Sequence, residues 1–381
     1  MLFSNVVGQQ PAKDGLLTMW RNNVLPHALL INGHEGTGGL PMALALAQFI
    51  FCENKTENDS CGQCAGCSKV TRLEHADLHF SFPTIVPKPG TKAMSRHYIG
   101  EFKEFVKQSP YGTTYDWLQH IEAENKQGNL TAEECREIID TLNLKSYEGG
   151  KKILIMWRPE YLGKEGNILL KLIEEPPADT LLIFVAENSE DILQTIRSRT
   201  QEVKLAPISP AEIALALTTR SLADPKRAAQ AAHMALGSYT EALRLIRESE
   251  NDLYPEASRL LKAILGNNKG TELAKFAEDW SKNGREQQKN LLNYIIQLIE
   301  QSIRYRFTQN DAIALPDEEI KFVKYFASLP IPVNGLSELV TTISNTIYYI
   351  ERNAHSRTQL HALGIRMQYL IKNKPLDPAF K

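Results

Sequence analysis

The stretch that most constrains the fold is His27-Ala28-Leu29-Leu30-Ile31-Asn32-Gly33-His34-Glu35-Gly36-Thr37-Gly38-Gly39-Leu40. A short unbroken apolar run, a Gly-rich turn and then a helical pattern give the strand, loop and helix order of a P-loop. The pattern G-x-x-x-x-G-K-[ST] finds its two glycines at Gly33 and Gly38, but Gly39 and Leu40 stand where the lysine and the hydroxyl belong. That lysine supplies the charge for the β- and γ-phosphates, and the hydroxyl is a magnesium ligand. The residues therefore predict a backbone cradle at Gly33, Gly36, Gly38 and Gly39 without its nucleotide chemistry, in which ATP does not bind tightly. A Gly-rich turn that merely follows a strand is the alternative reading of these residues alone.

A chain of 381 residues is too long for one core and predicts two or three domains. Lysine and arginine number 43 against 45 acidic residues, so no global field draws the chain to nucleic acid or an anionic membrane. The segment Met1-Leu2-Phe3-Ser4-Asn5 lacks the marks of a signal peptide, and no apolar stretch is long enough to span a bilayer. A cytoplasmic protein without a membrane partner is expected.

Four of the five cysteines, Cys52, Cys61, Cys64 and Cys67, fall within sixteen positions. In a reducing compartment such clustering favours a metal over disulfides. Two overlapping C-x-x-C pairs and one cysteine at the preceding helix end make a closed tetrahedral set, so a structural zinc without a reaction of its own is expected. A redox C-x-x-C is the alternative, and it would not need four thiols. His75 and His79 nearby are read as local hydrogen-bonding residues, not ligands.

Elsewhere, a first helix is expected within residues 1–26, and Met42–Cys52 reads as a buried helix. The region 82–128, broken by Pro83, Pro87, Pro89, Gly90, Pro110 and Gly112, reads as a surface insertion, helical only over 97–107. Thr131 and Glu134 predict a capping box, with Ala132, Cys135, Ile138, Ile139 and Leu142 on one helical face. Residues 151–157 form a second buried strand ending in Trp157, Arg158 and Pro159, where an ATPase would carry carboxylates for magnesium. A helix over 164–173 stops at Pro176-Pro177, and strands follow at 180–186 and 201–205. Strands alternating with helices imply a doubly wound parallel α/β sheet. Pro207 and Pro210 mark a boundary, beyond which the pattern is helical to about 250, with a break at Gly237-Ser238, and again over 251–371. Leu291, Leu292, Ile295, Ile296, Leu298, Ile299 and Ile303 supply broad apolar faces there. Tyr348-Tyr349-Ile350-Glu351-Arg352-Asn353 is read as helix packing, and Glu174 with Glu175 as a helix-end or surface pair.

Four stretches together resemble the delta prime family of bacterial DNA polymerase III clamp-loader subunits, within the AAA+ superfamily. They are Pro26-His27-Ala28-Leu29-Leu30, the cysteine cluster, Leu169–Pro177 and Ile196-Arg197-Ser198-Arg199. The likeness is specific over about 5–80 and 131–205. The 82–128 insertion departs from the family's compact form, and Thr200 replaces the cysteine of its S-R-C motif. The resemblance implies a degenerate AAA+ P-loop domain over 1–207 with the knuckle at 52–67, a helical lid over 208–250, and an all-α collar over 251–381 that assembles five subunits. It further implies a stator without ATPase or polymerase activity of its own, and an arginine, Arg199 after Ser198, that acts in trans on a neighbour's ATP. The implied partners are the gamma/tau motor subunits and the delta subunit, with the sliding clamp and primed DNA reached through the complex. Two rival readings are an active motor ATPase of the same loader, against which Gly39 and Leu40 speak, and a zinc-knuckle nucleic-acid-binding protein. The span Cys61–Cys67 has none of the interleaved aromatic and basic residues that the latter needs.

Overall fold

The computed structural model of the chain describes residues 1–88, 90–123, 126–248, 253–266, 269–308, 315–352 and 354–372. The chain divides into two compact units, Met1–Arg247 and Glu248–Lys381.

The first unit opens with α1 (Gln10–Arg21), which carries a proline in its first turn, followed by β1 (Ala28–Asn32) and α2 (Gly39–Phe51). Next come α3 (Ala65–Thr71), β2 (Leu78–Ser81), α4 (Ile99–Gln108), α5 (Thr114–His120) and α6 (Ala132–Asn143). Then β3 (Lys152–Trp157), α7 (Leu170–Glu174), β4 (Thr180–Ala186), α8 (Gln194–Arg197) and β5 (Gln201–Lys204) complete the sheet. Its order is β2-β3-β4-β1-β5, parallel throughout. This is the doubly wound sheet that the alternating pattern predicts.

Successive side chains of a strand point to opposite faces, so each apolar run divides between two cores. Leu29, Ile31, Ile153, Ile155, Leu181 and Ile183 pack with α1 and α2. Leu30, Leu154, Met156, Leu182 and Phe184 pack with Cys135, Ile138 and Leu142 of α6 on the other face. Cys135 is thus a core residue, as its spacing predicts. Lys152 at the head of β3 donates to the carbonyls of Leu142 and Leu144, satisfying the free end of α6. Three helices, α9 (Pro210–Thr219), α10 (Pro225–Met234) and α11 (Tyr239–Glu248), follow the sheet, with the expected break at Gly237 and Ser238.

Several expectations need correction. Region 82–128 is not a surface insertion: Phe82, Phe102, Phe105 and Trp117 are buried in the main core, with the rings of Phe82 and Phe102 stacked 3.8 Å apart. It also holds α5, started by a capping box between Thr113 and Asp116. The capping box at Thr131 is only half formed. Thr131 accepts from Glu134 N, but the Glu134 carboxylate turns inward to Ser81 Oγ and Ser95 N, both at 2.8 Å. The expected helix over 164–173 is a 3-10 run, Pro159–Leu169, broken at Gly163 (φ 50°, ψ −136°), and only α7 is α-helical.

The second unit is helical: α12 (Tyr254–Leu265), α13 (Lys269–Trp280), α14 (Arg285–Thr308), α15 (Asp317–Ser328), α16 (Val333–Glu351) and α17 (Ser356–Ile371). Leu291, Leu292, Ile295, Leu298 and Ile299 of α14 are buried. The tyrosine pair of α16 is not packed inside: Tyr348 and Tyr349 are 48% and 47% exposed. The stripe Leu336, Leu339, Ile343, Thr346 and Ile350 already occupies the inward face. Asn353, the last residue of that stretch, lies outside the described residues.

Candidate functional site

The Gly-rich loop leaves the carboxyl end of β1, the end at which doubly wound sheets bind their ligands. Gly33 N donates to Ala186 O at the end of β4, 3.1 Å away, so the loop starts clamped to the sheet. Thr37 turns it by donating from N and Oγ1 to His34 O, at 3.1 and 2.6 Å. Gly38 caps α2 with φ 97°, a conformation that side chains disfavour. The Gly-rich turn follows β1 and opens α2 in the expected order, and the two substituted positions are tightly packed. A Cβ on residue 39 would lie 2.9 Å from Val185 Cγ1, and Leu40 is buried. The cleft bounded by Gly33, Gly36, Gly38, Gly39, Trp157 and Glu187 keeps a cavity of about 30 Å³. A water fits in such a space, whereas small-molecule sites run to roughly 300–1,000 Å³.

The end of β3 explains the remaining space. Arg158 adopts a left-handed backbone (φ 63°, ψ 57°) that turns its side chain into the cleft. There its Nη1 pairs directly with Glu187 Oε1, and its Nε lies 3.6 Å from Glu160 Oε2. Glu160 Oε1 in turn accepts from Glu187 N and Asn188 N, at 2.6 and 3.1 Å. Carboxylates are thus present beside the loop, although β3 carries none, and a guanidinium occupies them. Burial works against the charged forms of both partners. Glu187 and Glu160 outweigh it and hold Arg158 firmly protonated, while burial keeps the Glu187 carboxyl above its ordinary range despite Arg158. Sequence reading missed this network because Glu160 and Glu187 are 27 positions apart and meet only through β3–β4 pairing.

Arg199 and Ser198 follow α8, and neither lines this cleft. Arg199 Nε donates to Glu174 Oε1 at 2.5 Å, and its Nη1 to Thr195 O and Ser198 Oγ at 2.9 and 3.2 Å. Its side chain is 36% exposed, and the residue lies just before the amino end of the edge strand β5. Glu174, expected as a helix-end or surface residue, is the partner of this arginine.

The four clustered cysteines meet. Cys52 ends α2, Cys64 caps α3, and Cys67 lies within α3. All four sulfurs fall within 4.8 Å of one another, with Cys61–Cys67 at 3.9 Å and Cys52–Cys64 at 4.0 Å. A tetrahedron with Zn–S bonds of about 2.3 Å has edges of about 3.8 Å, so the donor set fits that ion. Backbone N–H groups of Cys61, Glu53 and Cys64 point at the sulfurs of Cys52, Cys64 and Cys61, at 3.2, 3.4 and 3.4 Å, as a thiolate cluster requires. The amides of Gln63 and Cys64 lower the Cys61 thiol to about 6, and burial pushes Cys67 up to about 12. Gly66 is needed for this approach, because a Cβ there would collide with the Phe51 carbonyl oxygen. These residues could hold a metal ion and are compatible with structural zinc. His75 stays outside the set: its Nδ1 accepts from Asp77 N at 3.2 Å and its ring stacks on Phe51.

A family model described as "DNA polymerase III, delta subunit" matches residues 8–118 and 114–209. The DNA polymerase III subunit delta' of Escherichia coli K12 is 27% identical over 223 residues, which cover 58% of this chain and 54% of the relative. That of Bacillus subtilis 168 is 27% identical over 261 residues, 67% of this chain and 64% of the relative. A DNA polymerase III subunit gamma of Buchnera aphidicola subsp. Baizongia pistaciae is 26% identical over 212 residues, 55% and 46% of the two chains. The matched stretch therefore spans little more than half to two thirds of these delta' relatives. Because the family match covers more than half of the chain and takes in every strand from β1 to β5, the chain belongs to the family described as DNA polymerase III, delta subunit.

Proposed function

We propose that this chain is a non-hydrolysing stator subunit of a DNA polymerase III clamp loader, supporting the ATP-driven loading of the sliding clamp on primed DNA by its partners. The observation that carries this reading is the substituted loop. A P-loop without lysine or hydroxyl, with Arg158 and Glu187 paired in the cleft beside it, lacks the groups that would hold MgATP, and this supports the reading. The motor reading needs those groups, so the loop favours the stator.

In this reading the chain contributes through contacts with its neighbours. The helical unit, assigned to residues 251–381, is the collar that joins gamma/tau and delta subunits, and 208–250 is the lid. Zinc is structural, held by Cys52, Cys61, Cys64 and Cys67. Arg199, presented by Ser198 and α8, serves the adjacent motor subunit's ATP. It is exposed and remote from this chain's own cleft, and a guanidinium stays charged and forks toward phosphate oxygens. To reach phosphate it must exchange its bond to Glu174, and an exposed pair of that kind contributes only about 0–1 kcal/mol. The test is a loader reconstituted with Arg199→Ala, followed by DNA- and clamp-stimulated ATP turnover. Trans arginines contribute on the order of 10³–10⁵ in rate at a single site, diluted here by the other sites of the ring. Normal assembly with reduced turnover is expected; normal assembly with unaltered turnover would remove Arg199 from the mechanism.

A further inference from the structure

We propose that Tyr111, delivered by the 82–128 segment, is a latch that holds the amino-terminal segment and the start of α11 onto the Gly-rich loop. Arg158 and Glu187 line the cleft, and so do Pro110, Tyr111 and Gly112. The Tyr111 ring lies against the loop, with Cε1 3.1 Å from where a Gly38 Cβ would be, and its Oη accepts the Val7 N–H at 2.8 Å. Its ring meets Tyr239 edge-on, with centroids 4.8 Å apart, and its carbonyl accepts from Thr240 Oγ1 at 2.5 Å. The loop itself is tied to the same turn, since Tyr239 N donates to Gly36 O at 3.0 Å.

Tyr111 therefore touches three separate parts of the first unit at once: the amino-terminal segment at Val7, the loop at Gly38, and the start of α11 at Tyr239 and Thr240. Its ring packs in one apolar cluster with Val7 and Tyr239, so removing it should loosen all three contacts together. Its delivery is rigid. The turn Ser109–Gly112 is closed by Gly112 N donating to Ser109 O at 2.8 Å, and it directly follows α4, whose Phe102 and Phe105 lie in the aromatic core with Trp117. A side chain presented by a short ordered turn has a very high effective concentration at its contacts, so the latched arrangement is the standing state. This gives the buried 82–128 segment a task that surface packing does not: it holds α9–α11 onto the loop. The inference holds whether or not the chain works in a clamp loader.

The test uses the full chain with Tyr111→Gly and, as probe, 4-methylphenol, which is the tyrosine side chain cut free. Apolar cavities made by truncation take up small aromatic molecules. Amide exchange over residues 33–40 and 236–242 should accelerate together by at least about tenfold while β3 and β4 stay protected. Millimolar 4-methylphenol should restore the protection of both segments and raise the variant's Tm, with no such response in the unsubstituted chain. Unchanged exchange in either segment, or an equal response of both proteins to the probe, would overturn the proposal. If the glycine variant does not fold, Tyr111→Phe decides. It keeps the ring and loses the hydroxyl, so exchange at Val7 should rise several-fold while residues 33–40 stay protected; an unaltered Val7 amide would contradict the assigned contact.

Discussion

Replacing Arg158 by alanine isolates the ion pair that closes the cleft. The guanidinium is 14% exposed and Glu187 26% exposed, so the pair is largely, not wholly, removed from water. Breaking a buried pair by deleting one partner costs about 3–5 kcal/mol, because the other charge is left without compensation. The partial exposure of Glu187 argues for the low end, about 3 kcal/mol, or a fall in Tm of roughly 6–12 °C for a unit of this size. The pH dependence follows from the carboxyl. Burial already raises Glu187 above its ordinary range, and loss of Arg158 removes the main opposing influence. A carboxyl raised in the folded state binds its proton more tightly there than in the unfolded chain. Its stabilising contribution is complete below the unfolded value and lost as pH rises through the folded one. The variant's deficit should thus be larger at pH 7 than at pH 5. The assay is thermal unfolding of the full chain at both values, with Arg158→Met/Glu187→Met as control, since apolar replacement of both partners is often nearly neutral. A deficit below about 1 kcal/mol, or one that grows on acidification, would refute the reasoning.

Cys64→Ser should reduce bound zinc and lower the Tm by at least roughly 5 °C while leaving the sheet's circular dichroism intact. Serine remains a good cap for α3, so the loss reports the metal and not the helix end; elemental analysis that finds no zinc in the unsubstituted protein, purified reduced and without chelator, would refute the assignment. A chain ending near Glu250 should fail to enter a reconstituted multi-subunit loader, as judged by size-exclusion chromatography, and full incorporation would remove the collar role from residues 251–381.

The parts of the fold that could be read from sequence are those set by unbroken local patterns. β1, β3 and β4 are apolar runs buried on both faces, and the cysteine knuckle is a spacing that few other structures require. β2 escaped because Leu78-His79-Phe80-Ser81 is a short edge strand with two polar residues, so it lacks a continuous apolar signal. Region 82–128 was misread for a related reason: prolines and glycines mark its turns, but Phe82, Phe102, Phe105 and Trp117 are spread over 36 positions and form one cluster only after folding. Likewise Glu134 had the right spacing for a capping box, and a long-range contact with Ser81 and Ser95 took its carboxylate elsewhere. In the cleft, the missing lysine and hydroxyl were visible at once. The contacts beside them, Arg158 with Glu187 and Tyr111 with Val7, join residues 29 and 104 positions apart and carry no local signal.

A Gly-rich loop with Gly39 and Leu40 in place of the lysine and the hydroxyl should not hold nucleotide tightly. Calorimetric titration of the full chain with MgATP measures this directly, since a working P-loop gains its affinity from the lysine and magnesium contacts absent here. No saturable heat is expected below roughly millimolar nucleotide. Stoichiometric binding with micromolar affinity would contradict it.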